Sequence, residues 1–168
     1  MTGSAGKIER AIEQKASAVL DTSILLDYLK AFCEKPANYD EQYRARMLKT
    51  IIPQFGKAYI TPYVLAEVCN LAKTRTANSK QFLLRSTRIL EDMGETGRAA
   101  KKNDIVQHKY FSDLGATDVA GVLCCTNEHK DAYLLIKDEE AAEYATDERK
   151  RIITLGEIRA HYINIGGK

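Results

Sequence analysis

Short apolar segments alternate along the chain with segments in which apolar residues recur at helical spacing. Residues 18–20, 58–60, 132–136 and 151–154 are short, largely apolar runs that predict β-strands. Between them, apolar residues three and four positions apart would fall on one face of a helix. Strands that alternate with amphipathic helices are typical of a parallel sheet covered on both sides. We therefore predict an α/β fold, a three-layer α/β/α sandwich with a central parallel sheet.

Capping residues and prolines mark the ends of several predicted helices. One helix follows the first strand directly and ends before Pro36, and a second covers residues 40–52 and ends at Pro53. Thr61 and Pro62 predict the start of a third helix, because threonine can cap a helix and proline suits its first position. The buried face of this third helix is predicted to consist of Val64, Leu65, Val68, Leu71 and Ala72.

The second half of the chain is more polar, and caps carry most of the information there. Residues 78–93 predict a helix that a glycine ends, and residues 95–110 predict a loop with a short basic helix. Thr117 is the predicted cap of a helix whose first turn holds Asp118. A further helix is predicted over residues 139–145. No internal repeat or linker interrupts this order.

Length and composition describe one globular domain with no membrane segment. The 168 residues are about one domain long, with 45% hydrophobic and 29% charged residues. No apolar run approaches the roughly 20 residues that span a bilayer, and the N-terminus lacks a signal-peptide core. We expect a single domain over residues 1–168, with residues 1–16 as an N-terminal arm or helix. We also expect a cytoplasmic protein, or else one with an unusual export route.

Cysteine spacing and phosphate-binding motifs exclude several function classes. The chain has no C-x-x-C pair and no histidine at zinc-ligand spacing from a cysteine. Cys69 and Cys124 lie in apolar helical stretches, where cysteine usually acts as a small buried hydrophobic residue. No glycine-rich phosphate loop is present, which disfavours nucleotide-driven functions.

Charge is unevenly distributed along the chain. Residues 40–110 carry 13 Lys and Arg against 7 Asp and Glu, whereas residues 111–168 carry 7 against 11. A polyanion lying across a carboxylate-rich centre would suit this distribution, although ordinary solvated helix faces explain it equally well. The candidate contacts to an RNA backbone are Arg44, Arg46, Arg85, Arg88, Lys101 and Lys102.

Four acidic residues stand where predicted strands end or the next helices begin. Asp21 follows the first strand, and Asp138 follows the strand that ends at Ile136. Glu67 lies in the second turn of the helix after the second strand, and Asp118 lies in the first turn of its helix. Sites in open α/β sheets gather at the carboxyl ends of the strands, and helix side chains lean toward the helix N-terminus. We therefore predict that these four carboxylates converge on one crevice.

Such a cluster would repel itself unless cations offset its charge. Carboxylate oxygens favour Mg²⁺ or Mn²⁺ over zinc, and such an ion can activate a water for phosphodiester hydrolysis. Each acid also has an ordinary structural explanation. Asp21 and Asp118 can cap a helix or complement its dipole, and Asp138 begins an acidic run typical of a solvated helix start. Glu67 stands beside the apolar stripe of its helix, where unpaired charge is uncommon.

Four segments around these acids, taken in chain order, resemble the motifs of PIN-domain nucleases. They are residues 19–26 (VLDTSILL), 60–68 (ITPYVLAEV), 115–120 (GATDVA) and 134–139 (LLIKDE). The resemblance spans roughly residues 17–155. It implies an α/β/α sandwich, cleavage of RNA that depends on Mg²⁺ or Mn²⁺, and frequently a homodimer. The single-domain build is most similar to VapC-like toxins, which partner with an antitoxin protein.

The resemblance also implies the roles of individual residues. It assigns the metal-binding and catalytic acids to Asp21, Glu67, Asp118 and Asp138. Ser23 falls where many members of the family place an Asn or Ser near the site. The residues that we expect to support the acids are Thr22, Ser23 and Thr117.

The chain departs from the family pattern in two places, and alternatives remain open. The fourth motif commonly has a threonine where Ile136 stands, so Glu139 could take the place of Asp138. Residues 78–110 are extra helical material compared with a compact toxin, which bears on the toxin role more than on the nuclease fold. The main alternative is a catalytically inactive PIN-like scaffold that binds RNA or protein. A phosphotransfer enzyme with Asp21 as nucleophile is a weaker one, because the second acid of a D-x-D motif is absent.

Overall fold

A parallel sheet forms the centre of the computed structural model, which describes residues 5–98, 100–144 and 151–167. Within these residues the sheet has five strands in the order β3-β2-β1-β4-β5, and every neighbouring pair is parallel. The α/β class and the three-layer sandwich are therefore confirmed. The strands are β1 (Ala18–Leu20), β2 (Ala58–Ile60), β3 (Gly94–Glu95), β4 (Tyr133–Ile136) and β5 (Ile152–Thr154).

Helices connect the strands and cover both faces of the sheet. Thr61 caps the helix that begins at Pro62, its hydroxyl accepting a hydrogen bond from Val64 N at 3.2 Å, as the sequence predicts. A short 3-10 turn at Ile52–Gln54 absorbs Pro53. The described α-helices are α1 (Ala5–Glu13), α2 (Thr22–Cys33), α3 (Tyr39–Ile51), α4 (Pro62–Arg75), α5 (Ser79–Asp92), α6 (Lys102–Val106), α7 (Phe111–Leu123), α8 (Glu139–Tyr144) and α9 (Leu155–Asn164).

Alternate residues of each strand point into two separate cores. In β1, Ala18 and Leu20 pack with α1 to α5 and α9, whereas Val19 packs with α6, α7 and α8. In β4, Leu135 faces the first core and Leu134 the second. Successive side chains of a strand point to opposite faces, so these apolar strands are buried on both sides. No α-helix among the described residues is both long and apolar enough to cross a membrane.

The edge strand β3 was not predicted from the sequence. It has two residues, and its register pairs Tyr59 with Gly94. A Cβ atom at position 94 would lie 2.5 Å from the Tyr59 ring, so glycine is needed for this close approach. Residues 78–110, predicted as a helix, a loop and a short basic helix, therefore also supply one strand of the sheet.

Two predictions of burial also need correction. Leu65, predicted on the buried face of α4, is 37% exposed, and Cys69 on the same helix is only half-buried. The α4 positions that are buried are Val64, Val68 and Ala72. The buried stripe of this helix is therefore narrower than the sequence pattern indicates. The helix predicted over residues 139–145 is observed up to Tyr144, and residue 145 lies outside the described residues.

Candidate active site

An open cleft lies at the carboxyl ends of the central strands and holds all four predicted acids. Its volume is about 640 Å³. We call it the acidic cleft. Its lining residues are Asp21, Thr22, Ser23, Glu67, Leu114, Gly115, Ala116, Thr117, Asp118, Lys137 and Asp138. The sheet topology explains the convergence, because β1 and β4 are adjacent parallel strands whose carboxyl ends share one rim.

Asp21 is held by two backbone groups. Its Oδ1 accepts a hydrogen bond from Ile24 N at 2.6 Å, which caps α2. Its Oδ2 accepts from Lys137 N at 3.2 Å, which connects the ends of β1 and β4. Asp21 is 8% exposed, so its orientation is set by the fold. The capping role and a place in the cleft therefore coexist in the same carboxylate.

Glu67 reaches the cleft from α4 and contacts the neighbouring motif. Its Oε2 accepts a hydrogen bond from the Thr22 hydroxyl at 2.7 Å. The Glu67 side chain is exposed, although Glu67 lies beside the apolar stripe of α4. Thr22 itself is 7% exposed. Thr22, which was predicted to support the acids, thus contacts one of them directly.

A break in α7 places Asp118 at the cleft. Gly115 has φ +78° and ψ 177°, so it interrupts the helix and the chain restarts at Ala116. Asp118 falls in the first turn of this second segment, as predicted. Thr117 lies inside the segment and is not its cap, so the cap prediction is wrong. The break provides the helix start at the rim that threonine was expected to provide.

Replacing Gly115 with alanine is expected to lower the free energy of unfolding by about 1–3 kcal/mol, since side chains strongly disfavour this backbone region. No atom lies within 4 Å of a Cβ built at position 115, so the cost is purely conformational. The control is Gly6→Ala in α1, where a Cβ also meets nothing within 4 Å and φ is not positive. That change should stabilise by about 0.5–1 kcal/mol. Denaturant unfolding of both variants measures the contrast, and a neutral Gly115→Ala would mean that the break is not required.

Asp138 and Glu139 occupy different surroundings. Asp138 lines the acidic cleft, and its Oδ1 accepts from Ala141 N at 3.4 Å at the start of α8. Glu139 lies away from the cleft, with its Oε1 accepting from Gly156 N at 3.2 Å. Of the two alternatives left open by the sequence, Asp138 is the one that faces the other acids.

Burial and, to a smaller degree, neighbouring negative charge raise the pKa of two carboxyl groups. Burial raises the pKa of Asp21 to about 7, with a smaller contribution from the Asp118 charge, although two backbone hydrogen bonds oppose it. Burial also raises the pKa of Asp118 to about 6, and the charges of Glu67 and Asp138 add to this effect. Asp118 therefore interacts electrostatically with each of the other three acids.

The donor set of the acidic cleft fits a hard divalent cation in its chemistry. Carboxylates predominate, and they are the ligands that Mg²⁺ and Mn²⁺ prefer. As placed, no three His, Cys, Asp or Glu side chains in the described ranges are grouped so that they could hold an ion. An ion would therefore require some of these side chains to move closer together, and those of Glu67 and Asp138 are exposed.

The predicted RNA-contacting residues are not equivalent in the structure. Arg44 pairs with Asp27 at 3.1 Å, in a second cleft that adjoins the acidic one. Arg85 is exposed, and its Nη1 donates to the Cys33 carbonyl oxygen at 3.0 Å. The remaining predicted residues are all exposed: Arg46, Arg88, Lys101 and Lys102.

Lys137 is a residue of the cleft that the sequence interpretation did not assign. It lines the cleft, and its Nζ lies 3.5 Å from Asp27 Oδ2. Its position directly before Asp138, at the end of a buried strand, was an available signal. A cation at the rim offsets part of the negative charge of the acids.

Comparison with known proteins assigns no family to the chain. No protein-family model matches the sequence, and the comparison with curated proteins found no match.

Proposed function

We propose that this protein is a Mg²⁺- or Mn²⁺-dependent endoribonuclease that hydrolyses RNA phosphodiester bonds. One observation carries the proposal: Asp118 lies in an open cleft at the sheet rim, where its carboxylate interacts with the charges of Asp21, Glu67 and Asp138. Like charges at such a rim cost free energy unless a cation is bound. The resemblance of the surrounding segments to PIN-domain motifs supports the same proposal.

The chain's own residues would hold and orient the metal. Asp21 is fixed by two backbone N–H groups and offers its remaining lone pairs, and the Thr22 hydroxyl donates a hydrogen bond to the Glu67 carboxylate. Asp118 would be the central ligand. When bound, the metal would activate a water and stabilise charge on the phosphodiester. Lys137 would contribute a positive charge close to the phosphate.

Metal binding is expected to stabilise the protein and to be required for RNA cleavage. At a Mn²⁺ concentration 100 times its Kd, the free energy of unfolding should rise by about 2.7 kcal/mol. The measurements are thermal melting and cleavage of a single-stranded RNA, each with Mn²⁺, with Mg²⁺ and with excess EDTA. A melting curve that neither ion shifts, together with intact RNA, would rule out the nuclease.

The second candidate is an inactive scaffold of the same fold that binds RNA or protein. It is favoured by the absence, within the described ranges, of an acid group already arranged to hold an ion. Both oxygens of Asp21 are also used by backbone N–H groups. A scaffold should bind its partner equally well with EDTA and with Mn²⁺, which separates it from the nuclease in the same experiment.

The resemblance to VapC-like toxins extends the nuclease proposal to a biological role. We propose that the protein is the toxin of a toxin–antitoxin pair and acts as a homodimer in the cytoplasm. Its four free cysteines suit a reducing compartment. A small antitoxin gene beside its own, growth arrest when it is expressed alone, and a dimeric mass in sedimentation are the expected results.

A further inference from the structure

A second cleft, which we call the basic cleft, adjoins the acidic cleft and shares Lys137 with it. Its volume is about 200 Å³. It follows one side of α2 from Asp27 to the end of the helix at Cys33, continues to the C-cap Glu34, and is bounded by α3. Seven residues of helix correspond to about 10 Å, which is longer than a single small anion requires. The cationic side chains that line it are Lys30, Lys35, Arg44, Arg75 and Lys137.

The acidic residues of the basic cleft are already engaged within the protein. Asp27 Oδ2 pairs with Arg44 Nη1 at 3.1 Å and with Lys137 Nζ at 3.5 Å. Glu34 Oε1 accepts a hydrogen bond from Ala77 N at 3.2 Å. Glu41 Oε2 accepts from Ala37 N at 2.8 Å. Glu34 Oε2 also lies 3.9 Å from Lys30 Nζ. The three carboxylates keep their charge, and the five cations outnumber them, so the lining of the cleft is net positive.

Two cations of the basic cleft remain available to a ligand. Lys35 and Arg75 are exposed and have no ion pair or side-chain hydrogen bond with any residue in the described part of the chain. Lys35 follows α2 and Arg75 is the last residue of α4, so two separate elements bring these charges to one cleft. Long cationic side chains held at the surface in this way are typical contacts to phosphate.

Lys137 connects the two clefts through its backbone and its side chain. Its backbone N–H donates to Asp21 in the acidic cleft, while its ammonium group pairs with Asp27 in the basic cleft. Asp27 lies in α2, and Asp21 is the N-cap of the same helix. A chain of phosphates that passes Lys137 would therefore lie in both clefts at once.

We propose that the basic cleft binds the sugar-phosphate backbone of a single-stranded RNA on one side of the bond that lies at the acidic cleft. This inference rests on the proposed nuclease function, because it takes the acidic cleft as the place of cleavage. Lys35 and Arg75 contact phosphates there, and Asp27 acts as a positioning residue that pairs with Arg44 inside the basic cleft and with Lys137 at the junction. Because these contacts are to phosphate, they contribute affinity without sequence preference.

The test compares two double variants, each prepared with Asp118→Asn so that bound RNA stays intact. Lys35→Gln with Arg75→Gln removes the two available cations of the basic cleft. Arg10→Gln with Lys130→Gln is the matched control. These exposed residues line a different cleft, at the opposite end of the sheet, where the strands begin. The measurement is the affinity for a short fluorescent single-stranded RNA as a function of salt concentration.

We expect the basic-cleft variant to bind RNA more weakly, on the order of tenfold, with the slope of log affinity against log salt smaller by about 1.4. The control variant should match the parent in both quantities. An equal loss in both variants, or an unchanged slope in the basic-cleft variant, would overturn the proposal. A further measurement is the binding of a poly-glutamate peptide. If the basic-cleft variant binds this peptide more weakly but binds RNA as the parent does, the proposal is also overturned, because the cleft would then bind an acidic protein.

Cleavage by the protein with Asp118 intact separates this inference from the proposed function. RNA binding that depends on Lys35 and Arg75, in a protein that cleaves no RNA with any divalent ion, would support the basic cleft and refute the nuclease. Cleavage with binding independent of these residues would do the reverse. The melting temperatures of the two double variants should also be compared. Equal values would show that the difference in binding does not come from a difference in folding.

Discussion

Asp118→Asn is expected to reduce the rate of metal-dependent RNA cleavage by at least about 100-fold, since the loss of even an outer-shell partner of a metal costs 10- to 100-fold. The reason is that asparagine removes a negative charge that interacts with all three other acids and that, in the proposed function, would bind the metal. The fold should survive, because asparagine has nearly the same shape and suits the start of a helix equally well. Relief of repulsion from Glu67 and Asp138 should leave the metal-free melting temperature unchanged or slightly higher.

The matched control for this variant is Asp113→Asn. Asp113 is an exposed acid near the start of the same helix and does not line the acidic cleft. RNA cleavage in Mn²⁺ and melting with and without the ion should be measured for both variants. Full activity in Asp118→Asn, or equal losses in the two variants, would leave Asp118 with a structural role at its helix start and remove it from the site.

The metal-free protein is expected to lose stability as the pH rises from about 4 to about 7. The pKa of Asp21 is raised from 3.8 to about 7 and that of Asp118 to about 6 by folding. Below pH 3.8 both groups are protonated in the folded and the unfolded chain, so this contribution to stability is fully present. As the pH rises the unfolded chain releases its protons first, and the contribution is lost by the folded pKa values. For Asp21 alone the loss is about 4 kcal/mol.

Denaturant unfolding between pH 4.5 and 7.5 in EDTA measures this loss, and Asp21→Asn is the control variant. Asparagine can still cap α2 but does not titrate, so the pH dependence should be smaller in this variant. Mn²⁺ should stabilise the wild-type protein more at pH 7.5 than at pH 5, because only the ionised carboxylates bind it. A stability that is flat or rises across this range would mean that folding does not raise the pKa values of these acids by burial and neighbouring charge.

Much of the architecture could be predicted from the sequence, because it depends on local chemistry. The Thr61-Pro62 pair begins α4 as expected, since a hydroxyl cap and a proline at the first turn act within a few residues. Four of the five described strands follow from short apolar runs. β3 could not be found in this way, because two residues carry no periodicity and Gly94 is a strand residue only through its pairing with Tyr59.

The candidate site, too, could be predicted only in part from the sequence. Its location at the strand ends could be predicted, because parallel strands bring their carboxyl ends to one rim and the sequence places Asp21 and Asp138 there. The raised pKa values of Asp21 and Asp118 could not, since burial and neighbouring charge come from segments far apart in the chain. The exposure of Glu67 likewise depended on how α4 packs.

By itself, the sequence determined the α/β class, the order of the elements other than β3 and the four acids at the sheet rim, because periodicity and capping act over a few residues. Only the tertiary structure decided that Gly115 restarts a helix at the cleft, and that Asp27 joins Arg44 to Lys137. The first depends on a left-handed backbone angle that the surrounding fold imposes. The second depends on charges from α2, α3 and the end of β4, which meet only when the helices pack against the sheet.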